Sequence, residues 1–279
     1  MEMKAVKDPA PYAYWADEPQ LHEGDRQFAT TLARGLDLLR CFSPFSPELG
    51  NKDLSIRSGL PKPTVSRLTY TLTSLGYLKH DRTSGKYRLG SAVLSIGYPL
   101  LANLNIRQIA RPYMLELANY ANGGVSIGIR DRLNMVYIES ARSSNVLRVK
   151  PDVGQSFPIL MGSMGRAYIA TLADAERQAL INEMKVKTPD LWAKYEAETY
   201  RSIERYKTHH FCMRHSDILP DAHSVGSCLT TAVDNEIIAF NCAVPIYALQ
   251  PNQLEQDIGP KLVKMVRTIE GVLRSRCSG

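Results

Sequence analysis

Between residues 28 and 89 the apolar positions recur at helical spacing, then alternate. Leu32, Leu36, Leu39 and Phe42 fall on one helical face and predict a helix over 28–42. The segment Ser43-Pro44-Phe45-Ser46-Pro47 then breaks the chain. Residues 51–58 read as a short helix with Asn51 as N-cap, and Gly59-Leu60 as a tight turn. A second helix is expected to begin at Pro63, because proline restricts Lys62 before it, and to close at Gly76. Val65, Leu68, Leu72 and Leu75 make its apolar stripe. Residues 77–80 and 87–89 then alternate as two short strands around a turn containing Gly85. Two helices joined by a tight turn and followed at once by a hairpin define a winged helix-turn-helix over 26–90.

The remaining pattern is different. Residues 1–25 show neither period and read as an irregular arm. Residues 91–104 are an apolar helical linker able to pack against its own copy in a second subunit. A helix over 106–120 has Ile109, Met114, Leu115 and Leu117 as its core side. Strands are expected over 125–129, 135–139 and 145–149, a loop over 154–158 and a helix over 163–172. Further helix is expected over 174–184 and 199–206, with a closing helix over 253–276. Strands over 227–233 and 236–243 flank Asp234-Asn235, read as a two-residue hairpin turn. Strand pairs interspersed with helices indicate an α+β fold with an antiparallel sheet, placed in a second domain over 105–279.

Charge sharpens this division. The chain is 279 residues with net charge +6, yet residues 26–90 alone carry 11 Lys/Arg against 4 Asp/Glu. The excess sits where a phosphate-binding surface requires it. The second helix of the helix-turn-helix offers Lys62, Thr64, Ser66, Arg67 and Tyr70 on its polar face, with no acid among them. Those groups suit the major groove, and Arg82, Lys86 and Arg88 of the hairpin suit backbone or minor groove. No apolar run approaches the length of a membrane span, and no leader pattern opens the chain, so a cytoplasmic location is expected. The five cysteines have no Cys-x-x-Cys pair and are expected to be reduced.

Enzyme signatures are missing. There is no phosphate-cradling glycine loop and no His-Glu-x-x-His, and no catalytic residues and no cofactor are expected. The one dense ligand-type cluster is His209-His210-Phe211-Cys212-Met213-Arg214-His215, with His223 nearby. Its spacing matches no closed zinc motif, and no metal site is assigned; a metal-binding or enzymatic C-terminal domain stands as the alternative.

Several segments resemble, in order, the IclR type of bacterial transcription regulator. They are Leu32-Ala33-Arg34-Gly35-Leu36, Gly59-Leu60-Pro61-Lys62, Thr64-Val65-Ser66-Arg67-Leu68 and Leu75-Gly76-Tyr77-Leu78. Gly85-Lys86-Tyr87-Arg88-Leu89-Gly90, Ala110-Arg111-Pro112, Val153-Gly154-Gln155, Phe157-Pro158 and Ser163-Met164-Gly165-Arg166-Ala167 follow. Residues 28–36 and 163–166 most resemble the branch that answers aromatic acids such as protocatechuate and 4-hydroxybenzoate. The resemblance implies a GAF-like effector-binding domain, a homodimer or dimer of dimers, operator DNA and a small organic acid as partners, and no enzyme activity. It also implies an effector site at Met161, Gly162, Ser163, Met164, Asp217, Val225, Ser227, Asn241 and Ala243. One departure bears on the ligand: the family often has Arg before the position of Ser227, where this chain has Gly226, which removes a cation able to pair with an acid.

Overall fold

The computed structural model describes residues 25–144, 152–215, 222–233 and 235–277. The expected arm (apart from residue 25), the expected strand over 145–149, Asp217 and Asp234 lie outside them. The chain divides into two compact units, Met1–Asn103 and Leu104–Gly279. No described helix is long and apolar enough to cross a membrane.

In the first unit, helices α1 (Thr30–Arg40), α2 (Asn51–Ser58) and α3 (Lys62–Ser74) enclose a core of Leu38, Leu49, Leu54, Val65, Leu72 and Leu78. Gly59 closes α2 in the left-handed region at φ 69°, which a side chain would strain. Asn51 does not cap α2. Gly50 precedes the helix and donates its N–H to Asp53 Oδ2 at 3.0 Å, while the Asn51 amide reaches Ser66 Oγ of α3 at 3.2 Å. Helix α3 begins at Lys62, one residue before the expected start. Pro63 still sits within the first turn, where its missing N–H has no helical partner to lose. At the other end Tyr77 N–H bonds Leu72 O at 2.8 Å and Gly76 N–H bonds Thr73 O at 3.0 Å, a Schellman closure with Gly76 at φ 80°. The chain turns away there, so Leu75 is exposed and Thr69, its hydroxyl bonded to Val65 O, takes a buried place instead. Strands β1 (Leu78–Asp81) and β2 (Lys86–Leu89) form the wing, and Leu49 bridges to Tyr87 as a short third edge. Helix α4 (Ser91–Asn103) follows.

The second unit is built on a six-stranded antiparallel sheet of order β5-β4-β3-β8-β7-β6. Its strands are β3 (Gly124–Asp131), β4 (Asn134–Arg142), β5 (Ser156–Pro158), β6 (Cys212–Arg214), β7 (Ala222–Cys228) and β8 (Ala239–Pro245). One face packs on α5 (Ile106–Ala121) and α9 (Gly259–Cys277), the other on α6 (Ser163–Thr171), backed by α7 (Asp174–Lys187) and α8 (Pro189–His209). On α5 the buried side is Ile106, Ala110, Met114, Leu117 and Ala118; Ile109 is half-buried and Leu115 exposed.

Three other expectations are corrected. Residues 156–158 are not loop but an edge strand, with Phe157 opposite Met135. Helix α8 starts ten residues before the expected 199, its charged stretches covering a buried face of Trp192, Tyr195, Ile203 and Tyr206. The strands flanking the expected turn are displaced outwards from it: β7 ends at Cys228 and β8 begins at Ala239, while next to the turn itself Val233 and Glu236 form an antiparallel bridge with N–H···O bonds of 2.9 and 2.8 Å. The intervening segment is organised by Glu270 of α9, whose carboxylate accepts the Thr230 and Thr231 N–H groups, each at 2.9 Å.

Candidate functional site

The first unit presents one basic, hydroxyl-rich surface. On α3, Lys62, Ser66, Arg67 and Tyr70 are exposed and Thr64 is half-buried. Tyr70 is 75% exposed, so its ring is not spent on packing against the wing. The wing register pairs Lys79 with Arg88 and Asp81 with Lys86, placing these four on one face. Two cations directly opposite each other disfavour the hairpin by itself and suit an anionic partner. Asp81 instead fastens the turn, accepting Thr83 N–H at 2.8 Å and Ser84 Oγ–H at 2.9 Å; these bonds hold its carboxyl below the usual range. Arg82 is exposed in that turn. Lys79 belongs with the predicted cations, and the alternation of its strand was the signal for it.

In the second unit, the parity of the strands decides what α6 faces. Gly226 pairs with Asn241, Asn241 with Ser126, and Ser126 with Ser140, so all four share a face. That face lies against α6, because a Cβ on Gly226 would stand 2.4 Å from the backbone carbonyl of Ser163. Ser224, two residues earlier, bonds Ser163 Oγ through its own Oγ at 2.9 Å, and Ser126 Oγ donates to Ser140 Oγ at 3.1 Å. A bulge between Ile127 and Gly128 shifts the β4 register by one, bringing Tyr137 onto the same face as Ser140. Tyr137 shares a side-chain hydrogen bond with Asn241; removal from water drives its phenol pKa well up, against the opposing pull of Arg214.

This arrangement brings together Gly162, Ser163, Met164, Asn241 and Ala243 of the expected site. Met161 ends the 3₁₀ turn that feeds α6 and packs beside its core. Val225 and Ser227 are not brought to it. They pair with Cys242 and Phe240 on the opposite face, and Ser227 Oγ donates to His210 O at 2.8 Å. A displacement of one residue along a strand reverses the face. Ser224, Gly226 and Cys228 hold the places expected of Val225 and Ser227.

The histidine cluster is taken apart by the fold. His209 and His210 end α8, while His215 and His223 meet edge-to-face with centroids 4.9 Å apart. That pair lines a cavity of about 450 Å³ together with Met213, Ile246, Leu249 and Leu254. Burial, then His215 and Arg214, push His223 below the ordinary imidazole range. No group of three or more His, Cys, Asp or Glu able to hold a metal occurs among the described residues. Cys41, Cys212, Cys228 and Cys242 are free and buried, and burial raises their thiol pKa values, to about 11 for Cys41 and about 12 for Cys228 and Cys242.

Residues 31–82 match the IclR helix-turn-helix domain, and residues 99–270 match the bacterial transcriptional regulator IclR C-terminal domain. The chain belongs to the IclR family. It is 31% identical over 258 residues to the HTH-type transcriptional regulator TsaQ1/TsaQ2 of Comamonas testosteroni, covering 92% of each chain. The crystal structure of an IclR-family regulator from Brucella abortus is 37% identical with a TM-score of 0.80, over 93% of this chain and 98% of that one. An IclR homologue from Microbacterium hydrocarbonoxydans, crystallised with 4-hydroxybenzoate, shares the fold at 18% identity and a TM-score of 0.65, over 88% and 99%. The protein is therefore a transcription regulator with a DNA-binding helix-turn-helix and a ligand-binding C-terminal domain, and its family is not one of enzymes.

Within this IclR-family domain Ser224, Tyr137 and Arg214 also share the α6-facing side, and none of them was among the expected residues. Arg214 ends β6, pairs with Ser224 and therefore shares its face; it is 6% exposed. Alanine at Gly226 must displace the α6 backbone, not a flexible side chain. Gly226→Ala should destabilise the second unit by about 1–3 kcal/mol in urea unfolding. An unchanged midpoint would show that α6 does not rest on β7.

Proposed function

We propose that this regulator binds operator DNA as a homodimer and changes its DNA occupancy when a small organic acid, aromatic acids foremost, enters the α6-facing site. The observation that carries the reading is the union of a buried arginine, a serine pair and the N-terminus of α6 on one sheet face. Free N–H groups at a helix start and a guanidinium both favour a carboxylate. The 4-hydroxybenzoate bound to a protein of the same fold agrees with a ligand of this class. A thermal-shift screen against benzoates and small aliphatic acids tests it. A ligand at 100 times its dissociation constant should stabilise the native state by about 2.7 kcal/mol. Silence across the set, with operator binding intact, removes the acid from the reading.

For DNA, α3 is the major-groove element, with Lys62, Thr64, Ser66, Arg67 and Tyr70 as the reading residues and Arg82, Lys86 and Arg88 as phosphate contacts. Arg67→Ala should weaken the preferred operator by about 1–3 kcal/mol and relax its specificity. Lys86→Ala should weaken all sequences alike and lower the salt slope by roughly one. Equal loss of specificity in both variants would reject that division.

The second copy rests on α4. This helix buries none of its side chains, and Leu94 and Tyr98 are 73% and 66% exposed, beside Ile96 and Leu100. A helix so apolar on its open side requires a cover, and a second copy of the same face provides one. Leu94→Glu with Leu100→Glu should shift the protein towards monomer in sedimentation equilibrium; an unaltered mass would move the interface elsewhere.

A further inference from the structure

A serine or threonine inside a helix often turns its hydroxyl back to the carbonyl four residues earlier. Helix α3 does this at three places. Thr69 donates to Val65 O at 2.9 Å, Thr71 to Arg67 O at 3.1 Å and Ser74 to Tyr70 O at 3.0 Å. Ser66, exposed on the same helix, does otherwise. Its Oγ accepts an N–H from the side-chain amide of Asn51 at 3.2 Å, and among the described residues it gives its own proton to none.

The helix-turn-helix sets up this contact. Asn51 is the first residue of α2, which packs against α3. Gly50 and Asp53 close the start of α2 between them, so the Asn51 side chain is not needed as a cap and is left for α3. Its Oδ1 is enclosed and has no donor among the described residues, so the bond to Ser66 alone orients the amide. An enclosed acceptor left unmet is unfavourable, and what this orientation secures is the serine proton. A hydroxyl that accepts one hydrogen bond keeps its proton and one further lone pair. Asn51 thereby draws Ser66 away from Lys62 O and leaves it as a donor to a partner outside the protein. On base edges the matching acceptors are purine N7, guanine O6 and thymine O4. With the amide turned over, Ser66 would donate to Oδ1 and meet DNA only as an acceptor.

Resting on the placement of Ser66 among the reading residues above, we infer that Asn51 is a positioning residue for operator recognition. It makes Ser66 a hydrogen-bond donor and so fixes which base edge Ser66 selects. Asn51 acts through Ser66 and reads no base itself.

The test selects a preferred operator for the full chain from a pool of randomised DNA duplexes, then measures binding to every single-base-pair variant of it. Wild type, Ser66→Ala, Asn51→Ala, Asn51→Asp and the double variant Asn51→Ala with Ser66→Ala are compared, with melting temperature as the check of folding. Ser66→Ala should erase a discrimination of about 3- to 10-fold at one base pair. Asn51→Ala, which releases the hydroxyl to Lys62 O, should erase discrimination at that same base pair. Added to Ser66→Ala, it should remove nothing more. Asn51→Asp offers Ser66 only acceptors, and an acidic group suits the first turn of a helix, so this variant should fold at least as well. It should lose the same discrimination, beside a uniform weakening from repulsion of the phosphates. An Asn51→Asp protein that keeps the preference overturns the inference alone, as do Asn51 variants that weaken every sequence without touching that base pair; Ser66 then remains a reading residue. If Ser66→Ala alters no preference, or wild type selects no sequence, the assignment of Ser66 and this inference fall together.

Discussion

The close approach of α6 to the sheet at Gly226 is the constraint on which the second unit depends. A helix starting that near a strand leaves no volume for a side chain below it, since even one Cβ would stand 2.4 Å from a backbone carbonyl. The same closeness sets the N–H groups at the start of α6 beside Asn241 and Ser224. Gly128 plays the matching part further along the helix, where a Cβ would meet Met164 Sδ at 2.4 Å. The glycine that reads in the sequence as a lost cation is therefore a packing requirement.

Strand parity carries the rest of the site. The bulge at Ile127/Gly128 lets Tyr137 and Ser140, three residues apart, face the same way, which an unbroken strand forbids. On the other face Glu139, whose backbone neighbour Ser140 belongs to the α6-facing side, takes Arg111 at 2.7 Å and Arg107 at 3.2 Å from α5. Its carboxylate also accepts the Ser140 N–H at 3.1 Å. The α6-facing side and the helix behind the sheet are in this way linked through one strand. The first unit works differently: its α3 surface is left to solvent by a core that buries Val65, Thr69 and Leu72 and half-buries Leu68 from that helix.

How much of this was legible follows from the range of the interactions. The winged helix could be read because its determinants are local: Gly59 and Gly76 end helices, Pro63 opens one, and Leu78, His80 and Tyr87 alternate across a four-residue connection. Neighbouring residues settle such features by sterics and capping, whatever the rest of the chain does. The family could be read for a related reason, since its segments lie in order along the chain, and so could the basic surface, since exposed cations follow from periodicity.

The α6-facing side of the sheet was not legible to the same degree. Of the residues expected together, Ser163, Met164 and Asn241 do lie on or against the side that α6 covers, whereas Val225 and Ser227 turn away from it and Ser224 and Gly226 face α6. Parity cannot be read from β7, Ala-His-Ser-Val-Gly-Ser-Cys, because the sheet is covered on both sides and small or apolar residues serve either face equally well. Residues 59–76 thus determined by themselves, to within a residue or two, where the helix of the helix-turn-helix begins and ends, through capping and periodicity. Only the tertiary structure decided which side chains meet beneath α6, because register, bulge and helix contact are set between strands far apart in sequence.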